Sequence, residues 1–235
     1  MRLTSVGDKE TLIVFVKAPL PGDVKTRLIP ALSPAEAAEL YQCFVKDIIR
    51  SMRRLKDVHM ELAYQPHAKA PDPSWTGCAV PFFRQDGQSL GERLHRALSS
   101  AFIGKAKRVV IIGSDSPTLP LDYVRQAFHM LRKCDVVLGP ASDGGYYLVG
   151  MSRLCLGFFE HVSWSTEQVF EQSIANAQKY GYSLRALPTY FDVDTIEDLE
   201  WLWRSRESHN LEQTAPLTGR FLARAMNRRR PVFSA

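Results

Sequence analysis

Apolar and polar positions along this chain follow two rhythms that take turns: short unbroken apolar runs, and longer stretches of helical spacing. The first run, LIVFVK at Leu12–Lys17, ends in KAPLPGD, whose two prolines and glycine stop regular structure. This predicts a buried strand followed by a special loop. Ser33-Pro34-Ala35-Glu36 then supplies an N-cap, a first-turn proline and a capping-box glutamate ahead of apolar residues at 37, 40, 41, 44, 45, 48, 49 and 52. The spacing predicts a long amphipathic helix with one buried stripe. Strands are predicted over His59–Gln65 and Ala79–Gln85, and a helix over Ser89–Phe102. The run beginning at Arg108 carries four consecutive β-branched residues, Val109 to Ile112, which suits a strand buried on both faces of a parallel sheet.

A helix over roughly 120–132 leads to DVVLGPASDGGYYLVGM, two strands broken by a glycine-rich turn at Asp143-Gly144-Gly145. A helix from about 166 to 180, a strand near 182–188 and a last helix from about Thr195 complete the pattern. Repeated strand and helix alternation implies an α/β chain, a three-layer, Rossmann-like sandwich whose central sheet is mostly parallel. Ligands of such sheets sit at the carboxyl ends of the strands, so the loops after the strands should converge. Residues 1–205 are read as one domain and 206–235 as a basic C-terminal tail.

Composition changes this picture little. The chain is 45% hydrophobic and 10% aromatic over 235 residues, ample for a buried core. Its four cysteines have neither CxxC nor zinc-ligand spacing, which points to reduced packing thiols in a cytoplasmic protein. The polar N-terminal segment lacks a signal-peptide core, and no apolar run approaches a membrane span. The net charge of +5 resides wholly after residue 203, where seven arginines face Glu207 and Glu212. Such an end reads as solvated and partly frayed, so nucleic acid is disfavoured as a partner.

Four loops carry candidate chemistry. In KAPLPGDVKTRL, Gly22 permits close backbone approach, Lys17, Lys25 and Arg27 bring positive charge and Thr26 a hydroxyl, a set suited to a diphosphate or triphosphate. The spacing matches neither Walker A nor GxGxxG. In GSDSPTLP, Asp115 stands just past a buried strand, as a ligand for a hard cation or as a turn residue capping backbone amides. In FDVDT, Asp192 and Asp194 share one side of an extended segment and repel unless a cation or proton joins them, although Asp194 or Thr195 could instead cap the last helix. In GPASDGGYYLVG, the amides of Gly144 and Gly145 could grip an acceptor and Asp143 could orient its hydroxyl, with a plain hairpin turn as the alternative. Ser165 and Thr166 could bind a substrate anion or cap a helix, and Gln85, Gly87 and Arg93 are placed on the nucleotide side.

These motifs in this order, with QDGQSLGERL and DVDTIEDL, span about residues 12–200, and the sequence resembles the DUF2064 family of GT-A-like transferases. That family is similar to phospholactate and phosphoenolpyruvate guanylyltransferases and, more distantly, to molybdenum-cofactor nucleotidyltransferases. The resemblance implies a GT-A-like fold, magnesium or manganese on Asp115, Asp192 and Asp194, and a nucleoside triphosphate or nucleotide-sugar donor on the first loop. Lys25 and Arg27 would stabilise charge developing on the diphosphate, with Asp115 beside them. KAPLPG replaces the glycine-rich first loop of the molybdenum-cofactor enzymes, so base preference is not carried over. The expectation is a metal-dependent transferase moving a nucleotidyl group or a sugar onto a small acceptor. A non-catalytic nucleotide-binding scaffold is the alternative.

Overall fold

A computed structural model describes residues 10–29 and 31–228. The polar N-terminal segment, Arg229 and Arg230 lie outside the described residues. Seven strands form one sheet: β1 (Glu10–Lys17), β2 (Val58–Gln65), β3 (Phe82–Arg84), β4 (Arg108–Ile112), β5 (Val136–Pro140), β6 (Tyr146–Met151) and β7 (Leu184–Ala186), in the spatial order β3-β2-β1-β4-β6-β5-β7. Only β6 runs antiparallel, against both β4 and β5, so the sheet is mixed and mostly parallel as expected. The glycine-rich segment before β6 is therefore a hairpin turn.

Helices α1 (Pro34–Met52), α2 (Leu90–Ile103), α3 (Leu121–Met130) and α4 (Val169–Lys179) cover the sheet. Alternation within β1 decides which side each joins: Leu12, Val14 and Val16 pack with α1 and α3, whereas Ile13 packs with α2 and α4. The capping box at Ser33 is present, its hydroxyl accepting from Glu36 N–H while the glutamate accepts from Ser33 N–H. Helix α4 starts later than predicted, because Thr166 Oγ1 is donated to Ser163 O and Gln168 takes the N-cap position.

Two expectations are corrected. Helix α1 has two buried stripes rather than one: Tyr41, Val45, Ile48 and Met52 face the sheet, while Ala37, Leu40 and Phe44 face a third cluster. That cluster is built by α5 (Ile196–Arg204), α6 (Leu211–Thr214) and α7 (Pro216–Arg228). Residues 205–228 are thus not a solvated, frayed end. Phe221 and Leu222 are buried, each worth about 2 kcal/mol on transfer from water. Asp47 of α1, fully buried, accepts the N–H groups of Leu217 and Thr218 at 3.1 and 2.8 Å. It supplies from across the core the cap that Ala215, just before α7, cannot. Its burial raises the carboxyl pKa, against the two hydrogen bonds. Two arginines of this region are spent locally: Arg224 pairs with Glu39 of α1 at 2.6 Å, and Arg206 stacks on Trp203. No cysteine is bridged, and among the described residues no helix is long and apolar enough to cross a membrane.

Candidate active site

Parallel pairing of β1 with β4 brings Val14 level with Ile112, so the loops after both strands leave the same end of the sheet. After β1, Pro19 and Pro21 end the strand and Gly22 turns the chain at φ 88°, open space lying where a Cβ would go. Lys25 then adopts the left-handed conformation at φ 50°, a backbone geometry that costs a lysine about 1 kcal/mol or more. The strain aims its side chain inward. Lys25 Nζ forms ion pairs with Asp115 and with Asp194, the latter at 2.8 Å, and also donates to Val193 O at 2.8 Å. Its side chain is only 2% exposed. Burial works against the ammonium charge, but the two carboxylates outweigh it and hold the pKa above the ordinary lysine value.

A backbone bond from Val193 N–H to Asp115 O, 2.9 Å, ties the segment before α5 to the loop after β4. This joint brings Asp115, Asp192 and Asp194 together. Asp192 accepts a hydrogen bond from Ser116 Oγ. Burial first and the Asp115 charge second push its carboxyl up to about 7, despite the bond from Ser116. Asp194 is not the helix cap: Thr195 holds that position in a capping box with Asp198, and Asp198 also accepts the Asp194 N–H. The Asp194 carboxylate is therefore left to Lys25 and the cavity. Tyr41, whose buried hydroxyl accepts from Lys17 N–H and meets Ser114 Oγ at 2.9 Å, fixes the β1 and β4 loops against each other.

These groups border a cavity of about 520 Å³ lined by Lys17, Lys25, Thr26, Arg27, Gln85, Arg93, Asp115, Ser165, Asp192 and Asp194, with Phe15, Leu90 and Leu94 as its apolar wall. Most of the expected nucleotide-side residues thus share one chamber. Gln85 lines it, but its amide nitrogen is spent on Ala63 O and Val16 O. Arg93 likewise donates to Gly87 O and Gln65 Oε1. Gly87, at φ 129°, is required by α2: a Cβ there would strike Glu92 and the Arg93 amide.

A second cavity, about 630 Å³, adjoins the first and shares Arg27, Asp192 and Asp194 with it. Its other walls are Tyr123, Ser142, Asp143, Thr189, Tyr190, Phe191, Thr195, Asp198, Trp201 and His209. Sequence reasoning missed this aromatic wall. The available signals were Tyr190-Phe191 directly before the acids and Trp201 one helical turn beyond Glu197. The glycine turn differs from expectation as well. Gly144 N–H is donated to Ala141 O and Gly145 N–H to Asp143 Oδ1, so neither amide is free to grip an acceptor. Gly144 is needed because a Cβ would run into the Glu167 backbone. Thr166 lies outside both cavities, its hydroxyl held by Ser163 O.

A family model described as an uncharacterized protein conserved in bacteria, DUF2064, matches residues 48–166. The chain belongs to the DUF2064 family. This DUF2064 protein is 25% identical over 184 residues to a 2-phospho-L-lactate guanylyltransferase of Methanobrevibacter smithii, covering 75% of the chain and 77% of the relative. It is 28% identical over 186 residues to the enzyme of that name from Methanothermobacter thermautotrophicus, covering 74% and 76%. A solved structure from Desulfovibrio desulfuricans G20, provisionally described as a nucleotide-diphospho-sugar transferase, superposes with a TM-score of 0.86 at 33% identity over 93% of this chain and 95% of that one. The DUF2064 protein is accordingly a transferase-type enzyme with a GT-A-like fold.

Proposed function

We propose that this protein is a nucleotidyltransferase, which binds a nucleoside triphosphate in the first cavity and passes its nucleotidyl group to a small acceptor in the second. The observation that carries the proposal is the shared border. Arg27, Asp192 and Asp194 belong to both chambers, so a phosphate beside Lys25 and Arg27 would lie within reach of an acceptor on the other side. In the reaction an acceptor oxygen forms a bond to the α-phosphorus while the bond from that phosphorus to the bridging oxygen breaks. Pyrophosphate leaves, and the acceptor proton goes to solvent. Lys17, Lys25 and Arg27 offset the charge that accumulates on the departing diphosphate, and Thr26 offers a hydroxyl to it.

The acids suit a divalent cation of the magnesium type that draws part of its ligand set from the nucleotide. Asp115 and Asp194 each commit Oδ1 to Lys25 while their side chains stay 42% and 38% exposed. Two partly open carboxylates are the usual protein share of such a site. An all-protein cage of three acids is not supported, since among the described residues no cluster of three or more His, Cys, Asp or Glu side chains closes on a common point. Asp192, committed to Ser116 and raised toward its protonated form, is the weakest of the three candidate ligands. When bound, the cation would neutralise phosphate charge.

The names of the two curated relatives make GTP the first donor to try. The test is the leaving group. Incubation with GTP and an acceptor panel should release pyrophosphate, whereas release of a nucleoside diphosphate from a nucleotide-sugar would replace this reading with glycosyl transfer. Calorimetric titration of GTP with and without magnesium tests the cation, and unchanged affinity would remove it from the proposal.

A further inference from the structure

The second cavity has a chemical character of its own. Among the described residues Arg27 is the only lysine or arginine on its lining, where it faces Asp143, Asp192, Asp194 and Asp198. Asp194 is already paired with Lys25 and Asp192 with Ser116, so a phosphorylated or carboxylated acceptor would meet uncompensated carboxylate charge at Asp143 and Asp198. The opposite wall is aromatic. Trp201 is 47% exposed, unusual for so large an apolar side chain, and two rings hold it in place: Phe191 with centroids 4.4 Å away and His209 at 4.9 Å, both close to perpendicular. His209 is itself anchored by a 3.0 Å contact between Nδ1 and Ser205 O. An indole fixed in orientation yet left half open is a preorganised platform rather than a core residue.

We propose that this chamber takes a neutral polyhydroxylated acceptor, a sugar or polyol, whose C–H face lies on Trp201 and whose hydroxyls are held by the surrounding carboxylates. The proposal rests on the nucleotidyltransferase reading and adds to it the class of acceptor. Carboxylates are acceptor-only groups with up to four lone-pair sites each, so they match a ligand that brings several hydroxyl donors. Asp143 is the best placed of them. Its Oδ1 already accepts from Gly145 N–H, which fixes the carboxylate at the rim of the chamber. Asp198 is less available because its Oδ2 serves the capping box of α5. Aromatic platform and acid rim thus divide the two faces of a sugar between them.

The experiment follows the indole N–H signals of the intact protein by NMR. The Trp201 signal is assigned with the Trp201→Phe variant, whose amide spectrum also reports on folding. Methyl glucoside and myo-inositol serve as neutral probes and 2-phospho-L-lactate as the anionic one, each added with GTP present. The expected result is a saturable shift of the Trp201 signal with a neutral probe and none with 2-phospho-L-lactate, and at least a tenfold weaker response in Asp143→Asn. A shift produced by 2-phospho-L-lactate alone, by GTP alone, or by none of these probes overturns the proposal. Nucleotide titration of the Thr26 amide, in the first cavity, separates the two readings: binding there without a polyol response defeats the acceptor assignment only, while no binding of GTP, ATP, CTP or UTP defeats the nucleotidyltransferase reading beneath it.

Discussion

The two cavities share three residues but are built by different means. The first is held by charge: Lys25, strained at its backbone and buried at its side chain, is clasped by Asp115 and Asp194 from distant parts of the chain. The second is held by packing, with Phe191, Trp201 and His209 in mutual edge-to-face contact beside the cluster in which α5, α6 and α7 pack against α1. A charge-built chamber depends on a few irreplaceable groups, whereas a packed one depends on the docking of whole elements. Substitutions should therefore separate them.

Lys25→Ala is the severest test of the first chamber. It removes the ammonium that both carboxylates face, leaving like charges together, and should lower pyrophosphate release by about 100-fold or more. Retention of more than a tenth of the activity would show that the ion-pair cluster is not the donor machinery. Asp47→Ala probes the second chamber from a distance. It leaves the first-turn amides of α7 without a partner and should cost about 2–3 kcal/mol in urea unfolding. It should also raise the acceptor KM while GTP affinity stays near that of the wild type; equal loss on both sides would mean that the chambers are not mechanically separable. Arg27→Ala acts on the shared border and should weaken donor and acceptor alike by about tenfold, roughly 1.4 kcal/mol each. An effect confined to one ligand would assign Arg27 to that chamber.

The smallest effect is expected from Asp135→Asn, remote from both cavities. Asp135 accepts hydrogen bonds from Arg153 Nε at 2.6 Å and from Ser183 N–H and Oγ at 2.9 and 2.8 Å, and the Arg153 bond leads in lowering its pKa to about 2. A carboxyl whose folded pKa lies below its unfolded value adds stability that is complete above the unfolded value and is lost as pH falls through the folded one. The variant should cost about 1 kcal/mol at pH 7, modest because Arg153 is exposed, and the difference from wild type should shrink as pH falls from 4 toward 2. Activity should be unchanged, which calibrates the other three.

The sheet was legible because the runs that became β1 and β4 are apolar, rich in β-branched residues and closed by proline or glycine. That Asp115, Asp192 and Asp194 lie at one end of the sheet was legible, since loops after parallel strands leave the same end. What the acids do with one another was not. Thr195 rather than Asp194 caps α5, and Asp192 is spent on Ser116, choices made by side-chain contacts that spacing does not reveal. The glycine turn misled because sequence shows that an amide can approach a ligand but not that Ala141 and Asp143 already occupy it. The second stripe of α1 was hidden because Ala37, Leu40 and Phe44 continue the same apolar arc that faces the sheet, and their partners lie in a segment whose arginines outweigh its acids.

The hydrogen bond from Thr218 to Asp47 spans 171 residues. Contacts of such sequence separation form late, because the loop they close must first lose its freedom. Synthesis from the amino terminus delivers every strand of the sheet, and with them the donor-side loops, before α7 can leave the ribosome. Helix α7 is consequently the last described element to dock, and the residues that line both cavities are synthesised before the helix that braces α1 and α5.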